Sequence, residues 1–473
     1  MATLLGIDIG TTHCKVGLFE ADGTLLQSTA RPTIYNPEAL WSTVAEAIAE
    51  TTQGFTPAVV GIASMAETGL LVDRSTGAAR SPLLAWHDRC AEAQVANLAQ
   101  RNDALARFCR SGLRANAKSG LAKLLWLREQ GADFSGAVWL STADFIALQL
   151  TGLLATDPTL AVRTFAYDMV ADAWDEPWLA QLGLDAKLFP PTLPSGVPVG
   201  VTHSPIAGLK TGTPVAISGH DHVCAAFAAD VIEPGAVFDS MGTAETLIGA
   251  LKSRPLDECD FASGFLFGPH VAPKRMFWMS SLPASGGSVE WLRGILGEER
   301  LSYAQLATLL EEAGPEPTGI LYYPYLSGAG APHADSNARA AFVGLRSGHT
   351  RAQFAKAVYE GTAYEMETIR RRAQEVLGIE MHTLIAAGGG TRNAAWLQIK
   401  ADVCGCPITV LPHADATLWG AAMLAGRRSG ILDAGILDAG SPSAARTQVH
   451  PDSERHQRYR ELYEKGYVQC YKN

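Results

Sequence analysis

Two stretches decide the fold: residues 4–19, LLGIDIGTTHCKVGLF, and residues 236–251, AVFDSMGTAETLIGAL. Each reads as an apolar strand, a Gly-Thr turn and a second strand. Each opens one half of the chain. Near its end each half also carries a Gly-containing passage from strand to helix. The first is VAISGHDHVCAAFAAD at 215–230, the second TLIAAGGGTRNAAWLQIKADV at 383–403. This is a weak repeat of pattern, not of sequence. It predicts two related α/β domains, residues 1–233 and 234–473, that face each other across a cleft suited to a ligand.

The rest of the chain fits that frame. At 473 residues it exceeds what one core fills. Helices are expected over 37–52, 91–101, 119–129, 286–296, 350–377 and 452–466, and a strand over LLAWHD at 83–88. The formal net charge is −10, which argues against nucleic acid and the anionic membrane face as partners. The eight cysteines are scattered apart from Cys404 and Cys406, as expected of thiols in a reducing cytosol. No signal peptide pattern and no apolar run of about 18 residues is present, so a cytoplasmic location is expected.

Four motifs carry chemistry. In Asp8-Ile9-Gly10-Thr11-Thr12 the small turn lets backbone N–H groups approach phosphate oxygens, and Asp8 can hold Mg²⁺. Alone it reads equally as ordinary turn chemistry. Its counterpart at Gly242-Thr243 would clamp a polyphosphate from the other side. Asp221, in Gly219-His220-Asp221-His222, lies at the carboxyl end of a strand, where it can take a proton from a substrate hydroxyl. The competing reading is a helix cap. His220 and His222 could bind a metal, but no third ligand is near in sequence. Gly388-Gly389-Gly390 permits close approach of a flat ligand or is a flexible loop. Finally, Glu67-Thr68 and Trp86-His87-Asp88-Arg89 offer hydrogen bonds and a stacking ring to a polyhydroxylated ligand. The alternatives are core packing for Trp86 and a surface pair for Asp88 and Arg89.

The order D-x-G-T-T, W-x-D-R, L-T-G…T-D, G-H-D-H, M-G-T, G-G-G and W-G-A-A resembles the FGGY carbohydrate kinases over nearly the whole chain. The resemblance implies two ribonuclease H-like domains of the actin and hexokinase superfamily that close on ATP, Mg²⁺ and a sugar. It implies phosphate binding at Gly10, Thr11, Thr12, Gly242 and Thr243. Gly388, Gly389, Gly390 and Asn393 would lie by the adenosine, and Asp221 would be the general base. Asp8 and Asp221 are the expected metal ligands; Glu67, Thr68, Trp86, Asp88, Asp221 and His222 the expected sugar contacts. Met65-Ala66 departs from the Gln-Arg of glycerol kinases and from the Met-His of xylulokinases. The missing arginine leaves room for a substrate larger than glycerol.

The expected activity is transfer of a phosphoryl group from ATP to a terminal hydroxyl of a small ketose or polyol, with a pentulose first. Glycerol or a tetrulose is the alternative within the family. A non-catalytic ATP-binding relative is the alternative of another class, and it would be expected to lack Asp8 or Asp221. A metal-dependent sugar hydrolase or isomerase would need a ligand cluster that the twelve histidines do not assemble. A homodimer stands open beside a monomer.

Overall fold

The computed structural model describes residues 2–101, 103–412, 415–432 and 446–470. Leu4, Leu5, Ile7 and Ile9 are all fully buried, so the opening strand Thr3–Ile9 is covered on both faces. It sits inside a six-stranded sheet. The spatial order is Leu25–Pro32, His13–Glu20, Thr3–Ile9, Pro57–Ser64, Pro214–His220, Pro198–Val201. The first three strands form an antiparallel meander, whereas Thr3–Ile9, Pro57–Ser64 and Pro214–His220 run parallel.

The second half repeats this plan in a seven-stranded sheet. Its order is Leu266–Pro269, Arg275–Leu282, Glu245–Lys252, Ala236–Met241, Thr383–Ala387, Ile408–Val410, Thr447–Val449. Again an antiparallel set leads into three parallel strands. The repeat read from the two Gly-Thr turns is thus a repeat of strand order and direction. Parallel neighbours put their carboxyl ends on one edge of each sheet, where α/β proteins bind ligands.

Two small-residue helices lie where the halves meet. Asp221–Ala228 and Ala416–Arg428 pack on one another, and the second also lies on the strands of the first sheet. Their composition is explained by backbone contact. A Cβ on Gly6, Gly61 or Gly420 would stand about 2 Å from the carbonyl oxygens of Leu418, Ala421 and Cys224 respectively. The Ser218 hydroxyl donates to the Ala421 carbonyl over 2.8 Å. A chain segment late in the sequence therefore braces the strand that leads to Asp221.

The expected helices form at Pro37–Thr51, Glu92–Gln100, Gly120–Glu129, Gly286–Ile295 and Arg351–Leu377. Asn36 caps the first, with Pro37 in its opening turn. The strand expected at 83–88 does not form. Leu84 makes one isolated bridge to Gly69, and the Asp88 carboxylate takes the Ala85 N–H at 2.6 Å, closing a turn instead. The C-terminal helix Ser453–Leu462 continues into a wider turn, Tyr463–Tyr467. Tyr459, Tyr463 and Tyr467, spaced by four, bury one side of it. The seven described cysteines are free; the Cys470 side chain lies outside the described residues. Among the described residues no helix is long and apolar enough to cross a membrane.

Candidate active site

The register of the first sheet brings the two key carboxylates together. Asp8 lies opposite Ala63, and His220, immediately before Asp221, lies opposite Ser64. Both aspartates thus flank the carboxyl end of Pro57–Ser64. Asp221 is the first residue of its helix, where the helix dipole favours negative charge. Its Oδ1 accepts the His222 backbone N–H at 2.6 Å and lies 3.1 Å from the His220 Nε2. Burial opposes its ionisation. His222, His220 and these hydrogen bonds outweigh burial and hold the carboxyl at about 2. Asp221 is an ionised acceptor at any working pH.

Asp8 is in the opposite condition. Burial, followed by the neighbouring Asp221 charge, raises its carboxyl to about 8 against the pull of Lys15. Its Oδ1 is buried without a partner. A carboxylate pair with an orphaned oxygen fits a Mg²⁺ ion, which takes one or two carboxylates and keeps several waters. Lys15 pairs with Asp415, at the start of Ala416–Arg428. Asp415 thus gains a structural role beside Asp8 that the sequence did not suggest.

The residues expected to contact the sugar form a connected set. The Trp86 Nε1–H donates to the Thr11 hydroxyl over 2.8 Å, and the Trp86 backbone N–H donates to the Thr68 hydroxyl over 3.0 Å. Asp88 does not pair with Arg89, which bonds Glu92; it holds the loop behind Trp86. Glu67 has a φ of 60°, a conformation that non-glycine residues seldom adopt. Two contacts hold it. Arg163 binds its carboxylate. The fully buried Lys123 donates to the backbone carbonyls of Glu67 and Ala85, each at 2.7 Å, and of Leu84 at 3.2 Å. Burial pushes the Lys123 ammonium down to about 8. Burial also lowers the His222 imidazole, which feels Asp221, Arg163 and Glu67.

Sequence reasoning missed Arg163 and Lys123. Each is a lone charge in an apolar run, TLAVRTFAY and GLAKLLWL, and that was the available signal. Arg163 also alters the reading of Met65-Ala66. That segment lacks a guanidinium, and the one bonded to Glu67 belongs to Arg163. Together with Thr68, Ser141, Asp144 and Thr156 the pair lines a cavity of about 20 Å³, room for one water.

Of the residues expected at the nucleotide, Gly388 and Gly390 pack against Met241. Gly388 has φ 104°, and a Cβ there would meet the Met241 carbonyl at 2.7 Å. A Cβ on Gly390 would meet the Met241 Cβ at 2.9 Å, whereas Gly389 has nothing within 4 Å. Two of the three glycines are thus needed for packing against the strand that leads to Gly242; only Gly389 faces open space. The Asn393 side chain accepts the Trp396 N–H at 3.0 Å and caps Ala394–Cys404. Its carbonyl is committed to that cap.

Two α/β halves with matched hairpins and a carboxylate pair at the sheet edge fit the expected kinase architecture, and comparison with known proteins gives the family. The models of the FGGY family of carbohydrate kinases match residues 3–228 (N-terminal domain) and 238–429 (C-terminal domain). The chain belongs to this family and is a sugar kinase. It is 32% identical to a glycerol kinase of Thermus brockianus, over 93% of this chain and 92% of the relative. It is 27% identical to a xylulose kinase of Bacillus subtilis, over 98% and 96%. The crystal structure of a xylulose kinase from Rhodospirillum rubrum superposes with a TM-score of 0.87 at 25% identity, covering 99% of this chain and 98% of that one.

Proposed function

We propose that the chain transfers the γ-phosphoryl group of ATP to a terminal hydroxyl of a small ketose, with a pentulose as the preferred acceptor. Asp221 is the general base. Its ionised carboxylate accepts the hydroxyl proton as the substrate oxygen bonds to the γ-phosphorus and the bond to the β-phosphate oxygen breaks, releasing ADP. The carrying observation is the placement of Asp8 and Asp221 together at the carboxyl end of Pro57–Ser64, with one Asp8 oxygen buried and unpaired. Asp8 and Asp221 would hold Mg²⁺, which supplies neutralisation of phosphate charge. Gly10, Thr11, Thr12, Gly242 and Thr243 would cradle the phosphates. Gly389 would lie against the adenosine, with Gly388 and Gly390 shaping the turn and Asn393 fixing the helix behind it. Glu67, Thr68, Trp86, Asp88 and His222 would line the sugar, and Arg163 sets the Glu67 carboxylate.

Glycerol is the second reading. It is favoured by identities of 30–32% to glycerol kinases and by the Arg163 guanidinium at Glu67. A coupled ADP-release screen over tetruloses, pentuloses, hexuloses, glycerol, polyols and sugar acids separates the two. We expect kcat/KM for a pentulose to exceed that for glycerol by about tenfold or more, a difference of about 1.4 kcal/mol in transition-state binding. A reversed ranking would transfer the assignment to glycerol.

A further inference from the structure

Away from the acceptor, the second hairpin rests on a buried charge cluster. Lys400, on Ala394–Cys404, is fully buried. Its Nζ lies 2.8 Å from the Asp239 Oδ2 and 2.5 Å from the Glu245 Oε1. Asp239 is on the strand that enters the turn at Gly242-Thr243, and Glu245 opens the strand that leaves it. One ammonium therefore spans both stems of the hairpin. The other Glu245 oxygen takes the Ser285 hydroxyl at 2.6 Å. Next to Ser285, the N–H groups of Gly286 and Gly287 donate to the carbonyls of Gly242 and Thr243 at 3.1 and 2.9 Å.

Such a cluster is a poor way to stabilise a core. Desolvating three charges costs as much as their attraction returns, and apolar residues of equal volume serve as well. What it does fix is geometry. Two carboxylates on adjacent strands repel one another, and a compact ammonium is the group that can hold both. We propose that Lys400 is a positioning residue: through Asp239 and Glu245 it sets the Gly242-Thr243 turn in the shape that receives the nucleotide's phosphates. This rests on the assignment of that turn to phosphate. The state of Asp239 agrees. Burial and then Glu245 raise its carboxyl, and its Oδ1 has no partner, so removing the ammonium would leave the two acids facing each other without a counter-charge.

The test is calorimetric titration of the full chain with two probes, Mg-ADP and adenosine, which carries no phosphate. In Lys400→Met we expect Mg-ADP affinity to fall about tenfold, in the range for loss of an outer partner, with adenosine affinity unchanged. Lys400→Met/Glu245→Gln removes one charge of each sign and gives a second reading should the single variant fold poorly; the same split is expected. Equal losses for both probes, or no loss for Mg-ADP in a folded variant, would overturn the proposal. Thr243→Val separates it from the assignment beneath. If Thr243→Val weakens Mg-ADP and the Lys400 variants do not, the positioning role alone falls. If Thr243→Val has no effect either, the phosphate assignment falls with it.

Discussion

The indole N–H of Trp86 donates to the hydroxyl of Thr11 over 2.8 Å. One residue comes from the loop assigned to the sugar, the other from the hairpin assigned to phosphate. If both proposed assignments hold, this hydrogen bond joins the sugar side to the phosphate side. Trp86→Phe keeps an aromatic face and removes the donor. A neutral hydrogen bond contributes about 1 kcal/mol. Steady-state kinetics are expected to show KM rising about fivefold for both sugar and ATP. A rise for the sugar alone would mean that the bond does not couple the two.

The triple glycine divides into unequal parts. Gly388→Ala places a Cβ 2.7 Å from a backbone carbonyl at φ 104°, which costs several kcal/mol in strain and displacement, on the order of 3 kcal/mol. Gly389→Ala meets nothing. Thermal unfolding should therefore show a large loss for Gly388→Ala and almost none for Gly389→Ala. In the second variant Mg-ATP affinity is the informative quantity: weaker binding supports contact with adenosine there.

Arg163 and Glu67 are both largely buried and bonded to each other. Arg163→Met leaves the Glu67 carboxylate without its partner, which typically costs about 3–5 kcal/mol. Arg163→Met/Glu67→Gln removes both charges and is expected to recover most of that loss in denaturant unfolding. Sugar KM should remain raised in the double variant. Full recovery of KM would show that the pair serves packing alone.

Glu365 gives a pH prediction. Burial raises its carboxyl from 4.5 to about 7, with the Tyr467 hydroxyl opposing. The folded state therefore holds a proton that the unfolded chain releases. The stabilisation is complete below about pH 4.5 and is lost as pH rises through 7. Glu365→Gln keeps an acceptor for Tyr467 and removes the titration. Unfolding free energies measured from pH 5 to 8 should fall with pH in the parent and fall less in the variant. The variant's advantage at pH 8 is up to about 3 kcal/mol, the linkage equivalent of the shift.

Much of this architecture was legible because the decisive signals are local. Asp8 and Gly10-Thr11 share one hairpin, Gly242-Thr243 another, and strand and turn chemistry identify both. What was hidden depends on contacts far apart in the chain. Arg163 reaches Glu67 across 96 residues, and Lys400 reaches Glu245 across 155. No periodicity marks either; Arg163 shows only the oddity of one charge in a largely apolar run, and Lys400 not even that. LLAWHD misled because an apolar run of strand length can also be a loop pinned by a side chain. Here Asp88 takes the Ala85 N–H that a strand would have used.

Asp221 is the proposed base. Its direct test is Asp221→Asn, assayed for turnover on the acceptor found by the screen and for binding of metal-free ADP by calorimetry. Turnover is expected to fall by about 10³-fold or more, within the range for loss of a general base, while metal-free ADP affinity stays within about threefold, because Asp221 is proposed to meet the metal and the acceptor rather than the nucleotide itself. Turnover near the parent level in a folded Asp221→Asn variant would contradict the account.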